Sequence, residues 1–461
     1  MATGQELSQP MPLGQPIESR DGTLNQDAKM VNCYLEKTTT GTAVVKRAGA
    51  ALNTQLPAGT AQGMLTCSLL PYAIINDTLY RLSDGASFPI PGVTITGQTY
   101  NCLSDSPVNT TLLKSSNGLW IFNGVTVTKV TDANYPPTTL WGIVELDGTY
   151  YVMNNGGDLQ GSALNDPTTW PALNFIRSDG AFQGGTGIIR HLNYLVALYQ
   201  KGTQFYYDAG NSPMPIAPVL SASWTVGCWN SRPAIETYDR TYFLGHSSSA
   251  GRAVYMIDGM SMGEISTPYI NRILKNADLS HYYGFAVKVN GHNFVVFTFT
   301  DLNITLVYDT EVKEWFQWSS VVNGVEQYFT PLYHVASSAN DWLLEQTTGR
   351  VVEMIQNAYQ DASGQINCLI RTPPMDWGTM KQKRFAAMYL HGDTSQSVVQ
   401  VRYSDDDYNT YSAYRNIDLS SVRKMLQRCG RSRRRSWDFL HTANQPFRVE
   451  TVEFDMSVGT S

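Results

Sequence analysis

Three features of the sequence predict an all-β chain built as a β-propeller of about six blades, with an N-terminal extended arm and a C-terminal antiparallel β-domain. First, short alternating runs flank Asn117-Gly118, Asn123-Gly124, Asp147-Gly148, Asn290-Gly291 and Asn323-Gly324. Both residues of such pairs tolerate positive φ and close two-residue hairpins with the twist of the strands they join. Second, the chain carries 26 Tyr, 10 Trp and 37 Gly, a composition suited to many short strands and tight turns. Third, helical periodicity is scarce.

Residues 1–59 are polar, carry Pro10, Pro12 and Pro16, and read as an extended arm plus one or two strands. From 60 to 355, strand candidates follow at 64–70, 72–76, 79–82, 111–114, 119–122, 125–130, 143–146, 149–153, 188–191, 194–199, 203–207, 241–245, 253–257, 285–289, 293–299, 304–308, 315–318, 327–333, 341–345 and 350–355. Asn76-Asp77 reads as a further hairpin. A spacing of about 8–12 residues marks a sandwich, barrel or propeller. About twenty strands exceed one sandwich; at roughly four strands and 40–50 residues per blade they make about six blades. Trp120, Trp141, Trp170, Trp315 and Trp318 are candidates to plug between blades.

One short amphipathic helix is expected at 268–277, with Thr267 as N-cap, Pro268 at N1 and apolar residues at 270, 273, 274 and 277. Residues 420–427 are expected to add a helical turn or two. Composition shifts after 356. Pro373-Pro374 reads as a boundary, and 384–461 as a separate β-domain with strands at 385–391, 397–403 and 446–457. The expected units are therefore 1–59, 60–355 and 356–461.

Charge narrows the function classes. Lys plus Arg is 33 and Asp plus Glu 39, for a net charge of −6. That argues against a chain whose task is to hold duplex DNA or an anionic membrane. The most apolar run, 294–299, is far short of a membrane span, and the N-terminus shows no secretory signal. Cys33, Cys67, Cys102, Cys228, Cys368 and Cys429 are scattered and read as buried reduced thiols. The sequons at Asn76, Asn109 and Asn303 read as turn or strand residues.

Catalytic patterns are missing. The Gly-His-Ser-Ser-Ser run at 245–249 lacks the closing glycine of a nucleophile elbow. Gly184-Gly185-Thr186-Gly187 lacks the Lys-Ser/Thr of a phosphate loop. The seven His are isolated, with no metal-binding pair. No enzyme activity, catalytic residue or cofactor is expected. Asp405, Asp406 and Asp407 form a candidate Ca²⁺ loop, since clustered carboxylates suit hard cations. The EF-type glycine and distal Glu are absent, and a polar hairpin tip is the competing reading. From 415 to 435 eight basic residues face one acid, Asp418. Arg428, Arg431, Arg433, Arg434 and Arg435 are candidates for a subunit interface, with a solvated loop and a nucleic-acid contact as the competing readings, because guanidinium pairs equally well with carboxylate and phosphate.

Several stretches together resemble the packaged-DNA stabilisation or tail-hub ("nozzle") proteins of short-tailed bacteriophages. They begin with Met30-Val31-Asn32-Cys33-Tyr34-Leu35-Glu36 and Lys46-Arg47-Ala48-Gly49. Tyr194 to Asp208 with the loop Ala209-Gly210-Asn211-Ser212-Pro213 follows. The most characteristic block runs from Tyr283-Gly284-Phe285 through Gly291-His292 and Phe294 to Val307-Tyr308-Asp309 and Trp315-Phe316-Gln317-Trp318. The last is Arg402-Tyr403-Ser404-Asp405-Asp406, Gly430-Arg431-Ser432-Arg433 and the strand after Pro446. Cys33 and Ala48 depart from the pattern. The resemblance implies a virion subunit, made in the host cytoplasm. It would assemble as a homo-oligomer, six to a ring, below portal and adaptor, carry tail spikes or fibres, and retain and conduct DNA. It implies no catalytic residues.

An acidic chain suits that role, because a basic channel would bind the passing duplex through counterion release. The expected channel wall is neutral to acidic and polar. The rival reading is a glycan-binding or glycan-hydrolysing propeller, which would need an arginine cluster and a Tyr/Glu pair in its central pocket.

Overall fold

The computed structural model describes residues 6–12, 28–37, 41–94, 98–104, 111–177, 182–228, 234–247, 251–337 and 340–459. Seven antiparallel sheets follow one another along the chain. Blade one spans 61–89, blade two 101–129, blade three 144–176 and blade four 185–224. Blade five spans 227–264, its first strand split into Gly227–Cys228 and Ile235–Glu236. Blade six spans 282–322, and blade seven spans 331–355 with an outer strand, Gly49–Gln55, taken from the other end of the chain.

Side-chain alternation builds the ring. On the strand Tyr194–Tyr199, Leu195 and Ala197 pack on Tyr151 and Met153 of blade three. Val196 and Leu198 point the other way, onto Phe243 and Ala253 of blade five. Each blade is thus apolar on both faces, which the period of two supplies. The same arrangement joins blades one and two around Trp120, two and three around Trp170, and five and six around Trp315. Leu344 and Val351 of blade seven meet Ala73 and Ile75 of blade one, closing the circle.

The propeller fold stands, with seven blades. The expectation of about six drew on residues 60–355 alone, whereas the seventh sheet is completed by residues placed in the arm. The hairpin reading stands at three of the five glycine pairs and is corrected at two: the turn near Asn117-Gly118 is Ser116-Asn117, with Gly118 already paired to Ser115, and Asn123-Gly124 opens a four-residue turn in which Gly124 alone of the pair has positive φ. Asp147-Gly148, Asn290-Gly291 and Asn323-Gly324 have positive φ at both positions, as do Asn76-Asp77 and the glycine-free Ser68-Leu69. Asn303 also sits at positive φ in a turn, while Asn109 lies outside the described residues.

The rest of the chain forms a β-sandwich. One sheet orders Cys33–Lys37, Thr42–Lys46, Arg448–Val458, Lys383–Gly392 and Met425–Ser432, with Glu6–Pro12 also paired to Arg448–Val458. The other continues blade six: Glu314–Val322 pairs in parallel with Lys29–Val31, followed by Cys368–Arg371, Ser436–His441, Val398–Ser404 and Arg415–Asp418. Phe385, Met388, Phe454 and Met456 of the first sheet pack on Ile370, Val401, Trp437 and Phe439 of the second. The expected division at residue 59 therefore runs through paired strands. Pro373-Pro374 lies in the connection between Cys368–Arg371 and Lys383–Gly392, which carries the chain from one sheet to the other.

The helix is Pro268–Asn276, with Tyr269, Ile270, Ile273 and Leu274 buried; Thr267 is extended at its N-cap but its side chain makes no capping bond. The helical turns expected at 420–427 are corrected. Bends at 420–423 lead into the edge strand Met425–Ser432, where an irregularity at Arg428, φ 56°, lets Leu426 and Cys429, three positions apart, both enter the sandwich core.

Candidate functional site

Three places collect unusual side chains: the propeller axis, the junction with the sandwich, and the far edge of the sandwich.

Toward the axis, the first strands of blades one, two, six and seven, with Trp141 ahead of blade three, border a cavity of about 180 Å³, lined in part by Tyr100, Trp141, Tyr283, Tyr333 and His334. Among the described residues, none that lines it is a carboxylate, lysine or arginine. The pocket thus holds neither the arginine cluster nor the Tyr/Glu pair that a sialidase-like reading requires. Its volume is below the roughly 300–1,000 Å³ of ordinary ligand pockets.

At the junction, residues quoted from the N-terminal pattern meet residues more than 270 positions away. Asn32 adopts φ 57°. Its Nδ2 donates to Ser319 Oγ at 2.8 Å and to the Asn367 carbonyl at 2.9 Å. Its Oδ1 accepts from the Ser319 amide and from Arg47 Nε, both at 2.8 Å. Arg47 is 1% exposed. Its remaining donors reach both Asp361 carboxylate oxygens and the carbonyls of Ala48 and Ser319. All five guanidinium donors are used, which is what a buried arginine requires. The guanidinium carbon also lies 4.9 Å from the Phe329 ring centroid. Gly49 follows because a Cβ there would strike the Gln360 backbone. Nearby, the Asp309 carboxylate accepts from His292 Nδ1 at 2.7 Å and raises the His292 pKa.

At the sandwich edge, the structure joins the two charged motifs. Asp405 accepts from Arg435 Nε at 2.6 Å and Nη2 at 2.7 Å. Arg435 is 1% exposed and stacks 3.6 Å over Tyr403. Asp407 lies 3.5 Å from Arg434 Nη1. Asp406 accepts from the amide and hydroxyl of Thr410 and the hydroxyl of Ser404, which lower its pKa to about 2. Two of the three carboxylates thus face guanidinium groups, and the third is held by turn hydrogen bonds. This is the geometry of a hairpin tip. No group of three His, Cys, Asp or Glu able to hold a metal occurs among the described residues.

The arginines divide. Arg435 is buried, and half-buried Arg434 also donates to the Pro374 carbonyl, so both build the sandwich. Arg428, Arg431 and Arg433 are exposed, with Arg433 Nη1 on the Met380 carbonyl at 2.9 Å. Arg415 and Arg423 are exposed as well. This basic edge belongs to Arg415–Asp418 and Met425–Ser432, the last strands of the two sheets and the strands farthest from blade six. A third buried cluster lies between: Asp438 accepts from Arg371 and Arg402, and Arg402 stacks 3.9 Å over Tyr411. Its signal in the sequence was slight, since the three charges are 31 to 67 positions apart and only Arg402 falls in a stretch that carries the family resemblance.

A family model described as "Bacteriophage P22 Gp10, beta-propeller", for phage stabilisation, matches residues 37–359. No curated protein sequence matches the chain. Similar solved structures include the N-terminal domain of Nup159, at 12% identity over 71% of this chain and 98% of that one, TM-score 0.41. BamB from Moraxella catarrhalis is 9% identical over 77% of this chain and 98% of that one, TM-score 0.39. YCF48 bound to D1 peptide is 12% identical over 68% and 98%, TM-score 0.37. These likenesses are too distant to argue from.

Proposed function

The chain belongs to the phage-stabilisation family of the bacteriophage P22 Gp10 β-propeller and is a phage structural protein; from that premise we propose that its copies form a ring at the distal end of a short tail. The ring lies below portal and adaptor, holds packaged DNA in place, conducts it at ejection and carries spikes or fibres. The family match carries this reading.

Two physical facts support it. The propeller axis holds Tyr100, Trp141, Tyr283 and Tyr333 around a cavity of only about 180 Å³, a cube of roughly 6 Å edge, against a duplex whose major groove alone is roughly 12 Å wide. DNA would run between copies, not through one propeller, and a ring supplies that channel. The net charge of −6 keeps the assembled wall from adsorbing the phosphate backbone. A cyclic ring needs two different complementary patches on each subunit, and the exposed basic sandwich edge is one of them.

The test is the solution mass by light scattering, alone and after mixing with portal–adaptor complexes. Recruitment as a ring of about six copies is expected. A chain that stays monomeric beside the portal–adaptor complex would overturn the reading.

A further inference from the structure

The two ends of the blades are chemically different. Each blade is an antiparallel meander entered by its innermost strand, so the first–second and third–fourth turns of all blades gather on one face. The second–third turns and the blade-to-blade connections gather on the other. On blade six the first face is already covered. Tyr34 of the sandwich packs 4.8 Å from His292 and receives a hydrogen bond from Asn290 at the blade-six hairpin.

On blades three to five the same face is open and apolar at its tips. Leu164 is 67% exposed, Leu173 70% and Tyr238 94%, with Leu192 and Met260 beside them. Large exposed apolar side chains gathered at the turns of one face mark an interaction surface. Charge follows the same division. Asp147, Asp166, Asp208, Asp239 and Asp258 stand at these turns against Arg190 and Arg240. Arg190 already bonds Glu145, and Arg240 already bonds Asp258. The opposite ends of the same blades carry Arg177, Lys201 and Arg252 against Asp158 and Glu264, so the net acidity lies on the first face. The acidic tips are held in place. Buried His191 bridges blades four and five, with Nδ1 3.1 Å from Thr241 Oγ1 and Nε2 2.9 Å from the Gly259 carbonyl.

We infer that this acidic, apolar-tipped face of blades three to five receives the arginine edge of the sandwich of a second copy of this chain. The inference rests on the ring reading and names its second patch. Arg428, Arg431 and Arg433 of one copy meet Asp147, Asp239 and Asp258 of the next, while Leu164, Leu173 and Tyr238 supply the apolar centre. The two patches differ and lie on different units of the subunit, so the contact is head-to-tail and generates a ring or helix. Charges at the rim steer and register such a contact, and apolar tips at its centre hold it.

The experiment uses the full chain and portal–adaptor complexes, with assembly read by light scattering and electron microscopy. Asp239→Arg with Asp258→Arg, and separately Arg431→Glu with Arg433→Glu, should each reduce ring formation at least tenfold at low salt. Each variant should melt as the wild type does. The four changes together should restore rings. As a second readout that needs no charge change at the tips, Tyr238→Cys with Arg431→Cys should give a disulfide-linked ladder of copies on oxidation. Rings from both reversed variants, with no ladder from the cysteine pair, would overturn the inference while leaving the ring reading intact. Rings that form but lose spikes or fibres in the Asp239/Asp258 variant would overturn it too, assigning the face to another protein. If the wild type itself is not recruited, the ring reading fails first.

Discussion

Blades one to five and the junction with its sandwich solve the same problem in opposite ways. In the blades, strands adjacent in sequence pair with one another, and interfaces are apolar on both sides. At the junction and through the sandwich, strands far apart in sequence pair, and charged groups inside them are matched: Arg47 with Asp361 at the junction, Arg371 and Arg402 with Asp438 beyond it, and buried Arg435 with exposed Asp405 at the far edge. Local pairing needs only turn chemistry and alternation. Long-range pairing must fix which distant strands meet, and a five-donor arginine with one satisfying arrangement does that. Buried ionic groups contribute more to uniqueness than to net stability, so the junction is where the chain specifies its closure.

The largest expected effect breaks that junction. Arg47→Met leaves Asp361 buried and uncompensated, at about 3–5 kcal/mol, read by thermal unfolding. Adding Asp361→Leu should recover much of the loss, because no charge is then stranded. Equal melting of wild type and Arg47→Met would remove the distinction between the two regions.

The matching change in the blades is Leu198→Ala. Leu198 is fully buried between blades four and five, and its loss should cost about 2–5 kcal/mol through lost burial and a cavity. No partner substitution elsewhere in the chain should be needed to explain that cost. Chemical denaturation measures it directly.

Acid sharpens the comparison further. His441 lies buried in the sandwich, stacked 4.8 Å from Phe447, and burial followed by the nearby Lys46 charge lowers its pKa to about 3. A histidine depressed in the folded state contributes stability that is complete above its unfolded pKa of roughly 6.5 and is lost as pH falls below it. At pH 5 the loss is about 2 kcal/mol. His191 between blades four and five is depressed by burial too, so acid also weakens the blades. His292 works oppositely: Asp309 raises its pKa, so its contribution is present below the unfolded value and fades as pH rises through the folded one. Melting between pH 7.5 and 5 should fall less steeply in His441→Gln than in the wild type.

The smallest effect separates the arginines. Arg431→Ala, on the exposed edge, should change stability by less than about 0.5 kcal/mol, whereas Arg435→Ala strips Asp405 of its buried partner and should unfold the sandwich first. Circular dichroism on the two variants is enough to tell.

The contrast also explains what the sequence shows. The blades were legible because Asn-Gly and Asp-Gly turns and the period of two are local signals. Asp147-Gly148, Asn290-Gly291 and Asn323-Gly324 each stand where the hairpin turns. The seventh blade was not legible, since nothing near Gly49–Gln55 announces a partner at Arg350–Ile355. The pairing of Asp405 with Arg435 was hidden for the same reason, and each looked like a separate motif. The acidic turn face could not be read either, because Asp147, Asp239 and Asp258 share a surface only once the blades are ordered around an axis.

The most direct test of the account is hydrogen exchange on wild type and Arg47→Met. Loss of protection is expected together in Gly49–Gln55, Arg350–Ile355, Lys29–Val31 and Cys368–Arg371, the strands closed by the Asn32–Arg47–Asp361 cluster. Thr149–Met153 in blade three should keep its protection. Loss confined to the residues touching Arg47, or spread evenly over all blades, would contradict the claim that this junction closes ring and sandwich together.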